Sequence, residues 1–245
     1  MNFKGKVALV TGGAQGIGKA FCTALLNKGM KVCICDINEA AATEFIEKLP
    51  ETEKDNVIFE KCDVTQFSEF RDTFKQVIST FGRIDLVVNN AGLVDEHDWK
   101  KMIDINFIGV INGIQLAFHY MNVNLGGCGG FVINTGSNSG FEPFPLAPVY
   151  SGCKHAINGL TKSYGTNFHF RRTGIKVNAI CPGPVDTSLF HTFPDMCIDK
   201  EYAEKHNKNV KYIKPEEVAN ALISLLEGKR NGALLRVDQD GVRYE

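Results

Sequence analysis

The chain has 245 residues, of which 44% are hydrophobic and 22% are charged, and its formal net charge at pH 7 is -1. This composition is typical of a globular protein and excludes an intrinsically disordered chain. The absence of a basic block argues against binding to nucleic acid or to an anionic membrane surface, because both require a concentrated positive field.

Short apolar runs alternate with longer helical patterns along the chain. Seven runs predict strands, at residues 7–11, 31–35, 57–61, 85–89, 131–134, 176–180 and 234–237. The segments between them predict helices, at residues 16–27, 39–48, 69–80, 99–120, 149–170 and 215–226. This order favours a single α/β domain over residues 1–245, with a doubly wound, seven-stranded, mostly parallel sheet covered by helices on both faces.

Residues 188–210 interrupt this alternation with scattered apolar side chains after the sixth strand. Ligands of open α/β sheets bind beyond the carboxyl ends of the strands, so this segment is predicted to be a substrate-binding lid. An ordinary surface connection is the alternative. Residues 214–217, Lys-Pro-Glu-Glu, predict the start of a helix with proline at its first position.

Eight cysteines are spread along the chain without the spacing of a zinc site, and we interpret them as small buried hydrophobes in a reducing compartment. The apolar stretch at residues 7–10 is too short for a signal peptide. No apolar run approaches the ~18 residues of a membrane helix. We therefore expect a cytoplasmic protein with no membrane span and no metal.

The first predicted strand leads into a glycine-rich turn and then a helix. Gly12 allows the tight turn, Gly16 lets the backbone approach a pyrophosphate, and Gly18 lets the helix pack closely on the strand. The helix N-terminus offers free N–H groups and the positive end of its dipole to the phosphates. Asp36 ends the second strand, where a carboxylate can bind both adenosine ribose hydroxyls and repels a 2′-phosphate. These features predict NAD rather than NADP, against the alternative of a structural turn and a chance surface aspartate.

Five motifs occur in an order that identifies a family. They are the glycines at 12, 16 and 18, Cys-Asp-Val at 62–64, Asn-Asn-Ala-Gly at 89–92, Tyr-Ser-Gly-Cys-Lys at 150–154 and Pro-Gly at 182–183. The chain resembles the short-chain dehydrogenases/reductases over nearly its whole length, which implies a Rossmann-type domain. Residues 81–92, 148–154 and 177–183 are most similar to the hydroxyprostaglandin dehydrogenases and the related insect alcohol and retinol-type dehydrogenases.

The resemblance implies a catalytic tetrad of Asn106, Ser137, Tyr150 and Lys154. Tyr150 and Lys154 are four residues apart and share one helix face. Lowering a phenol pKa from ~10 to ~7 takes about 4 kcal/mol, which a nearby ammonium and a positive nicotinamide can supply. Tyr150 would remove the hydroxyl proton and Ser137 would hold the substrate oxygen. Lys154 would also hold the ribose, and Asn106 would anchor a water in the proton relay.

Residues 134–140 offer Thr135, Ser137 and Ser139, and the register to Tyr150 selects Ser137. The resemblance assigns the following residues to the cofactor: Gly12, Gln15, Gly16, Ile17, Gly18, Asp36, Ile37, Asp63, Val64, Asn90, Tyr150, Lys154, Val185, Asp186 and Thr187. A role for Thr187 as a helix N-cap alone is the alternative.

The residues before Tyr150 and in the lid segment predict an apolar substrate pocket. Ser137, Phe144, Ala147, Tyr150 and Phe190 are the candidate substrate contacts, with Phe141, Leu146, Leu189, Phe193 and Met196 beside them. The same aromatic residues could instead form ordinary core. Prostaglandin dehydrogenases typically have Gln where this chain has Ala147, so retinoid, terpenoid or steroid alcohols fit as well as prostanoids.

We therefore predict an NAD-dependent dehydrogenase that oxidises a hydrophobic, secondary alcohol. The alternatives are a carbonyl reductase running in reverse, which Asp36 disfavours, and a non-catalytic NAD-binding protein of the same fold. The resemblance also implies a homodimer or homotetramer joined through helices at 99–120 and 149–170.

Overall fold

Parallel strands form the centre of the protein, which is described here by a computed structural model for residues 2–208, 210–228 and 230–245. The strands are β1 Val7–Thr11, β2 Lys31–Asp36, β3 Val57–Lys61, β4 Leu86–Asn89, β5 Gly130–Thr135, β6 Ile175–Pro182, β7 Leu234–Asp238 and β8 Gly241–Tyr244. They form one sheet in the order β3-β2-β1-β4-β5-β6-β7-β8. The predicted doubly wound α/β fold is confirmed, and the order reverses between β1 and β4.

The prediction of seven strands missed β8, which pairs antiparallel with β7 at the edge of the sheet. The two strands are joined by a two-residue turn, and Val242 in β8 is 57% exposed. β8 has no continuous apolar run, which is the signal that revealed the other seven strands.

Eleven helices flank the sheet in the part of the chain that the structure describes. They are α1 Gly16–Asn27, α2 Glu39–Glu47, α3 Glu51–Lys54, α4 Phe67–Phe81, α5 Trp99–Ile103, α6 Gly109–Tyr120, α7 Pro148–Tyr164, α8 Asn167–Thr173, α9 Ser188–Met196, α10 Lys200–Asn207 and α11 Pro215–Glu227. The predicted helix at 99–120 is divided by a π-helical turn at Asp104–Ile108. The predicted helix at 149–170 is two helices, because α7 ends at Tyr164 and α8 begins after Thr166.

The segment 188–210, in which no helix was predicted from its scattered apolar residues, contains the two helices α9 and α10. Their apolar residues are spaced for packing against the domain, as Phe193 and Ala203 show by being buried. The predicted helix start at 214–217 is confirmed: Pro215 is the first residue of α11, and the Lys214 N–H donates to the Glu217 carboxylate at 2.7 Å.

Alternate residues of β1 face the two helical layers. Ala8 and Val10 pack in a cluster with Phe21 of α1, Phe45 of α2 and Leu222 of α11. Val7 and Leu9 face the other layer, in a cluster that contains residues of α4, α6 and α7, including Phe70, Ile114 and Ile157. Both faces of the sheet are therefore covered, and its strand ends are left to form a site.

The stretch Trp99–Tyr120 has the length and the apolar composition required of a membrane-crossing helix, with a mean hydropathy of 1.2, which the sequence analysis did not expect. Its apolar residues are interspersed with polar ones such as Asn106, Asn112 and Gln115, so no continuous run reveals it. The domain buries 44% of the most apolar 18 residues of this stretch, and core helices of soluble proteins can be equally long and apolar.

Seven of the eight cysteines are buried thiols, and Cys128 is exposed.

Candidate active site

A cavity of about 730 Å³ lies along the carboxyl ends of the parallel strands. Its wall includes most of the predicted site residues: Gly12, Gln15, Gly16, Ile17, Asp36, Ile37, Asp63, Val64, Asn90, Ser137, Phe144, Tyr150, Lys154, Val185, Thr187 and Phe190. Seven predicted residues do not line it, namely Gly18, Asn106, Phe141, Leu146, Ala147, Asp186 and Met196. The cavity thus brings the cofactor and substrate candidates together in one space.

The glycine turn between β1 and α1 closely approaches its neighbours. Gly12 and Gly16 have φ angles of 61° and 51°, in the left-handed region that favours glycine. A Cβ at Gly18 would lie 2.0 Å from the Gly12 carbonyl oxygen, and a Cβ at Gly12 would lie 2.9 Å from the Ala91 Cα. The turn therefore accepts no side chain at these positions, and Gly18 packs behind the cavity wall. The backbone of the turn and the N-terminus of α1 fit a pyrophosphate.

Asp36 stands at the end of β2, beside the glycine turn. Its two carboxylate oxygens accept hydrogen bonds from the backbone N–H groups of Ala14 and Asn38, each at 3.0 Å. The side chain is thus held between the turn and the loop that begins α2. A carboxylate fixed there fits two ribose hydroxyls, because each oxygen retains a free lone pair.

Asn90 and Thr11 connect β4 to the glycine turn. The Asn90 side-chain amide donates to the carbonyl oxygens of Thr11 and Gly12, at 3.0 and 3.2 Å. The Thr11 hydroxyl oxygen accepts from the N–H groups of Asn90 and Ala91, at 2.9 and 3.0 Å. Asn90 was predicted near the adenosine ribose; it lines the cavity, and its amide braces the turn. Thr11 was not singled out from the sequence, because a threonine at a strand end has no signal of its own.

Asn106 is fully buried in the π-helical turn, behind the cavity wall. Its side-chain oxygen accepts from the Leu93 N–H at 2.8 Å, and its amide donates to the Leu93 carbonyl oxygen at 2.6 Å. This pair of bonds fixes the chain just after Gly92. The predicted water of the proton relay stays a prediction.

Ser137, Tyr150 and Lys154 meet at the floor of the cavity. The Ser137 hydroxyl lies close enough to the Tyr150 hydroxyl to lower its pKa. The Ser139 N–H donates to the Ser137 hydroxyl oxygen at 3.1 Å and fixes its orientation. Lys154 is buried in α7, where its ammonium donates to the Thr135 carbonyl oxygen at 2.8 Å and lies 5.4 Å from the centre of the Tyr150 ring. The arrangement presents two hydroxyls and one cation to a substrate oxygen.

The protein surroundings alone do not favour a tyrosinate. Burial raises the pKa of Tyr150 to about 12, although the hydrogen bond with Ser137 lowers it in part. Burial also lowers the pKa of Lys154 to about 8, because an ammonium loses its hydration there. The expected lowering of the phenol pKa towards neutrality, by the ammonium together with a positive nicotinamide, stays a prediction.

The other end of the cavity is apolar and is covered by α9. The Phe144 and Phe193 rings stack with centroids 5.4 Å apart, and Leu189 and Phe190 line the same wall. Ala147 was predicted to contact substrate, but it is fully buried in a cluster with Leu146 and Phe193, because it precedes the first residue of α7 and packs inward. Phe141, also expected there, packs instead against the cluster of Ala179, Cys181 and Leu234.

The segment after β6 crosses above the glycine turn. The methyl group of Thr187 lies 3.4 Å from the Cβ position of Gly16, so the two facing loops enclose the phosphate region. Thr187 is also the N-cap residue of α9, but its side chain makes no capping bond and its hydroxyl donates to the Val185 carbonyl oxygen at 3.3 Å. Asp186 points away, paired with His191 at 2.8 Å, because alternate residues of this extended segment face opposite sides.

Several wall residues were not predicted from the sequence, among them Leu93, Val94, Glu142, Asn207 and Arg236. Leu93, Val94 and Glu142 lie in loops, Asn207 ends α10 and Arg236 is in the middle of β7, and no motif includes them. Arg236 could have been noticed in the sequence, because a cation within an apolar strand is unusual. It pairs with Glu142 at 3.1 Å and Asp238 at 2.8 Å. No cluster of metal-ligating side chains occurs among the described residues.

Comparisons with known proteins agree with this arrangement. A family model described as short chain dehydrogenase matches residues 6–197. The human protein named 15-hydroxyprostaglandin dehydrogenase, with NAD(+) in its name, is 41% identical over 254 residues, covering 100% of this chain and 96% of that protein. Alcohol dehydrogenase 1 of Ceratitis cosyra is 31% identical over 239 residues, covering 96% of this chain and 92% of that protein.

A solved structure supports the same fold. The short chain dehydrogenase from Bacillus anthracis str. 'Ames Ancestor' superimposes with a TM-score of 0.82 at 24% sequence identity. The superposition covers 97% of this chain and 96% of that one.

Proposed function

The chain belongs to the short-chain dehydrogenase family, and from this premise we propose that it is an NAD-dependent enzyme that oxidises a hydrophobic secondary alcohol to the carbonyl compound. One observation carries the proposal: Ser137, Tyr150 and Lys154 meet at the floor of a cavity whose far wall is aromatic and whose near wall holds Asp36 and the glycine turn. The names of the most similar relatives, which include NAD(+) and an alcohol, support it.

The chain's residues would divide the work as follows. Asp36 would bind the adenosine ribose, the turn at Gly12 and Gly16 the pyrophosphate, and Ile37, Asp63 and Val64 the adenine. Bound NAD supplies the hydride acceptor. Ser137 donates a hydrogen bond to the substrate oxygen, and Tyr150 accepts the hydroxyl proton as general base. Lys154 stabilises the phenolate form of Tyr150, which is the form that can accept the proton, through its positive charge, and this opposes the effect of burial on the Tyr150 pKa.

The substrate class follows from the wall beyond Tyr150. Phe144, Leu189, Phe190 and Phe193 offer burial to a lipid-like chain, which binds chiefly by removing apolar surface from water. Ala147 is buried away from the cavity and offers no polar contact. The reacting hydroxyl then depends on Ser137 and Tyr150, so retinoid, terpenoid and steroid alcohols are candidates alongside the prostanoids of the named relatives.

The test is NADH formation with a panel of retinoid, terpenoid, steroid and prostanoid alcohols, each supplied with NAD or NADP. We expect turnover with NAD on at least one secondary alcohol. Tyr150→Phe should lower kcat by at least about a hundredfold, as removal of a general base does, while NAD binding is retained. A panel without turnover from a protein that binds NAD would support a non-catalytic role, and faster reduction of ketones with NADPH would support a carbonyl reductase.

A further inference from the structure

Helix α7, which carries Tyr150 and Lys154, lacks a capping group of its own. Its N-cap residue is Ala147, which has no polar side chain, and its first residue is Pro148, which has no N–H. The first bond within the helix runs from the Ser151 N–H to the Ala147 carbonyl oxygen. The N–H groups of Val149 and Tyr150 therefore need partners from outside the helix.

Glu96, from the loop after β4, provides those partners. One carboxylate oxygen accepts from the Tyr150 N–H at 2.9 Å, and the other accepts from the Val149 N–H at 3.3 Å. A carboxylate at this end of a helix is also stabilised by the positive end of the helix dipole. Glu96 thus caps, from a distant segment, the helix that carries the proposed general base.

The same residue holds the helix that covers the substrate cavity. The Glu96 backbone N–H donates to the carbonyl oxygen of Met196, the last residue of α9, at 2.8 Å. A second bond joins the Ile198 N–H to the Leu146 carbonyl oxygen at 3.1 Å, on the other side of the α7 start. Between these bonds, Val94 and Phe193 pack in one apolar cluster that also touches Tyr150.

We propose that Glu96 is a positioning residue that couples the end of α9 to Tyr150, so that the cover of the substrate cavity and the general base are held in one arrangement. The proposal rests on the proposed function for the role of Tyr150. Glu96 lies outside every catalytic motif. In this proposal it helps to set where Tyr150 lies and how readily the Tyr150 hydroxyl loses a proton.

The charge of Glu96 gives the proposal an electrostatic consequence. Burial raises the pKa of the neighbouring Cys153 thiol, and the negative charge of Glu96 raises it further. The groups that face Tyr150 come from three elements besides its own: Ser137 from the loop after β5, Cys181 from β6, Glu96 from the loop after β4, and Cys153 and Lys154 from α7. Burial raises the pKa values of Cys153 and Cys181 and keeps both as thiols, so Glu96 supplies the negative charge of this set, and removing that charge should favour the phenolate of Tyr150.

Two variants separate the cap from the charge. Glu96→Gln keeps one acceptor and removes the charge, and we expect the pH dependence of kcat to shift to lower pH by about half a unit or more, as the loss of a nearby negative charge requires. Glu96→Ala removes both, and we expect kcat to fall about tenfold or more because Tyr150 loses its fixed position, with KM rising as well through the released end of α9. Glu47→Gln, the same change on the exposed face of α2, is the matched control and should behave as the wild type.

Hydrogen exchange tests the coupling without turnover. In Glu96→Ala, amides in residues 146–152 and 189–198 should exchange about fivefold to tenfold faster, as the loss of a helix cap predicts, while α1 and α11 remain protected. Unchanged exchange in both segments, together with an unshifted pH profile in Glu96→Gln, would overturn the proposal. A wild type inactive on every alcohol, but with faster exchange in Glu96→Ala, would instead refute the proposed function and leave the cap intact. If Glu96→Ala does not fold, the test is an ultraviolet titration of the phenol in Glu96→Gln. A lower pKa of Tyr150 than in the wild type would support the proposal, and an unchanged pKa would overturn it.

Discussion

At the scale of single residues, Asp36 is the side chain on which the cofactor preference depends. Its carboxylate is fixed by Ala14 and Asn38, so it cannot turn away from a 2′-phosphate. We expect Asp36→Ala to weaken NAD binding about tenfold or more, because hydrogen bonds to charged groups contribute roughly 1.5–3 kcal/mol. NADP binding should change little or improve. Binding of both nucleotides is measured by calorimetry.

Asp36→Asn is the control for shape. It keeps an acceptor for one of the two backbone N–H groups and removes the negative charge, so it should improve NADP binding without the full loss of NAD binding. An unchanged ratio of NAD to NADP affinity in both variants would refute the assignment of Asp36 to the ribose.

Residues differ in how far the sequence reveals them. Gly12, Gly16 and Asp36 were predictable because their roles follow from local backbone geometry and spacing. The hydrogen bonds of Asn90 and Asn106 were not predictable, because their partners, Gly12 and Leu93, depend on how β4 and the π-helical turn pack. Glu96 was invisible, since a cap supplied from more than fifty residues away leaves no pattern in the sequence.

At the scale of elements, the hairpin of β7 and β8 is joined to the catalytic loop by an ion network. Asp238 is buried beneath Arg236 and Arg243, with hydrogen bonds of 2.8 to 2.9 Å, and it accepts from Asn138, next to Ser137, at 3.3 Å. Hydrogen bonds from Arg243 and Arg236 hold the pKa of Asp238 at about 2, below the ordinary value for aspartate. The network therefore fixes the missed strand to the active site.

This pKa predicts a pH dependence of stability. A carboxyl group with a lowered pKa in the folded state stabilises the protein above its unfolded pKa of ~3.9, and this contribution is lost as the pH falls from about 4 to about 2. We expect Asp238→Asn to lower the free energy of unfolding by about 1 kcal/mol at pH 7, less than the pKa shift alone implies because solvent screens this partly exposed group, and the difference from the wild type to narrow below about pH 4. Urea denaturation at several pH values measures it. A difference that stays constant with pH would show that shape, and not charge, is responsible.

Elements were predictable where they carry an apolar run or a proline. The seven predicted strands and the start of α11 follow from apolar runs and from Pro215, and even β3, of which only Val57 is buried, begins with such a run. The π-helical turn at Asp104–Ile108 has no proline to announce it, and it forms where Asn106 turns inward to bond Leu93. β8 and the break between α7 and α8 are likewise set by edge exposure and by packing rather than by a local signal.

At the scale of the whole molecule, the helical stretch Trp99–Tyr120 leaves apolar side chains unburied. Trp99 is 46% exposed and Ile108 is 38% exposed, and only 44% of the most apolar 18 residues of this stretch are buried. Two copies related by a twofold axis would cover such a face on both partners at once. We therefore propose that the protein is a homodimer, or a tetramer built from such dimers, joined through this stretch and α7.

Ile108→Asp tests this assembly. An aspartate buried at a subunit interface without a partner costs several kcal/mol, so the dissociation constant should rise by at least about a hundredfold. Analytical ultracentrifugation should then show a monomer for this variant and a dimer or tetramer for the wild type. Leu125→Asp is the matched control, because Leu125 is 62% exposed in a turn outside this stretch, and it should leave the assembly unchanged. A wild type that sediments as a monomer, or an Ile108→Asp variant with unaltered mass and unaltered NAD binding, would contradict the proposed interface.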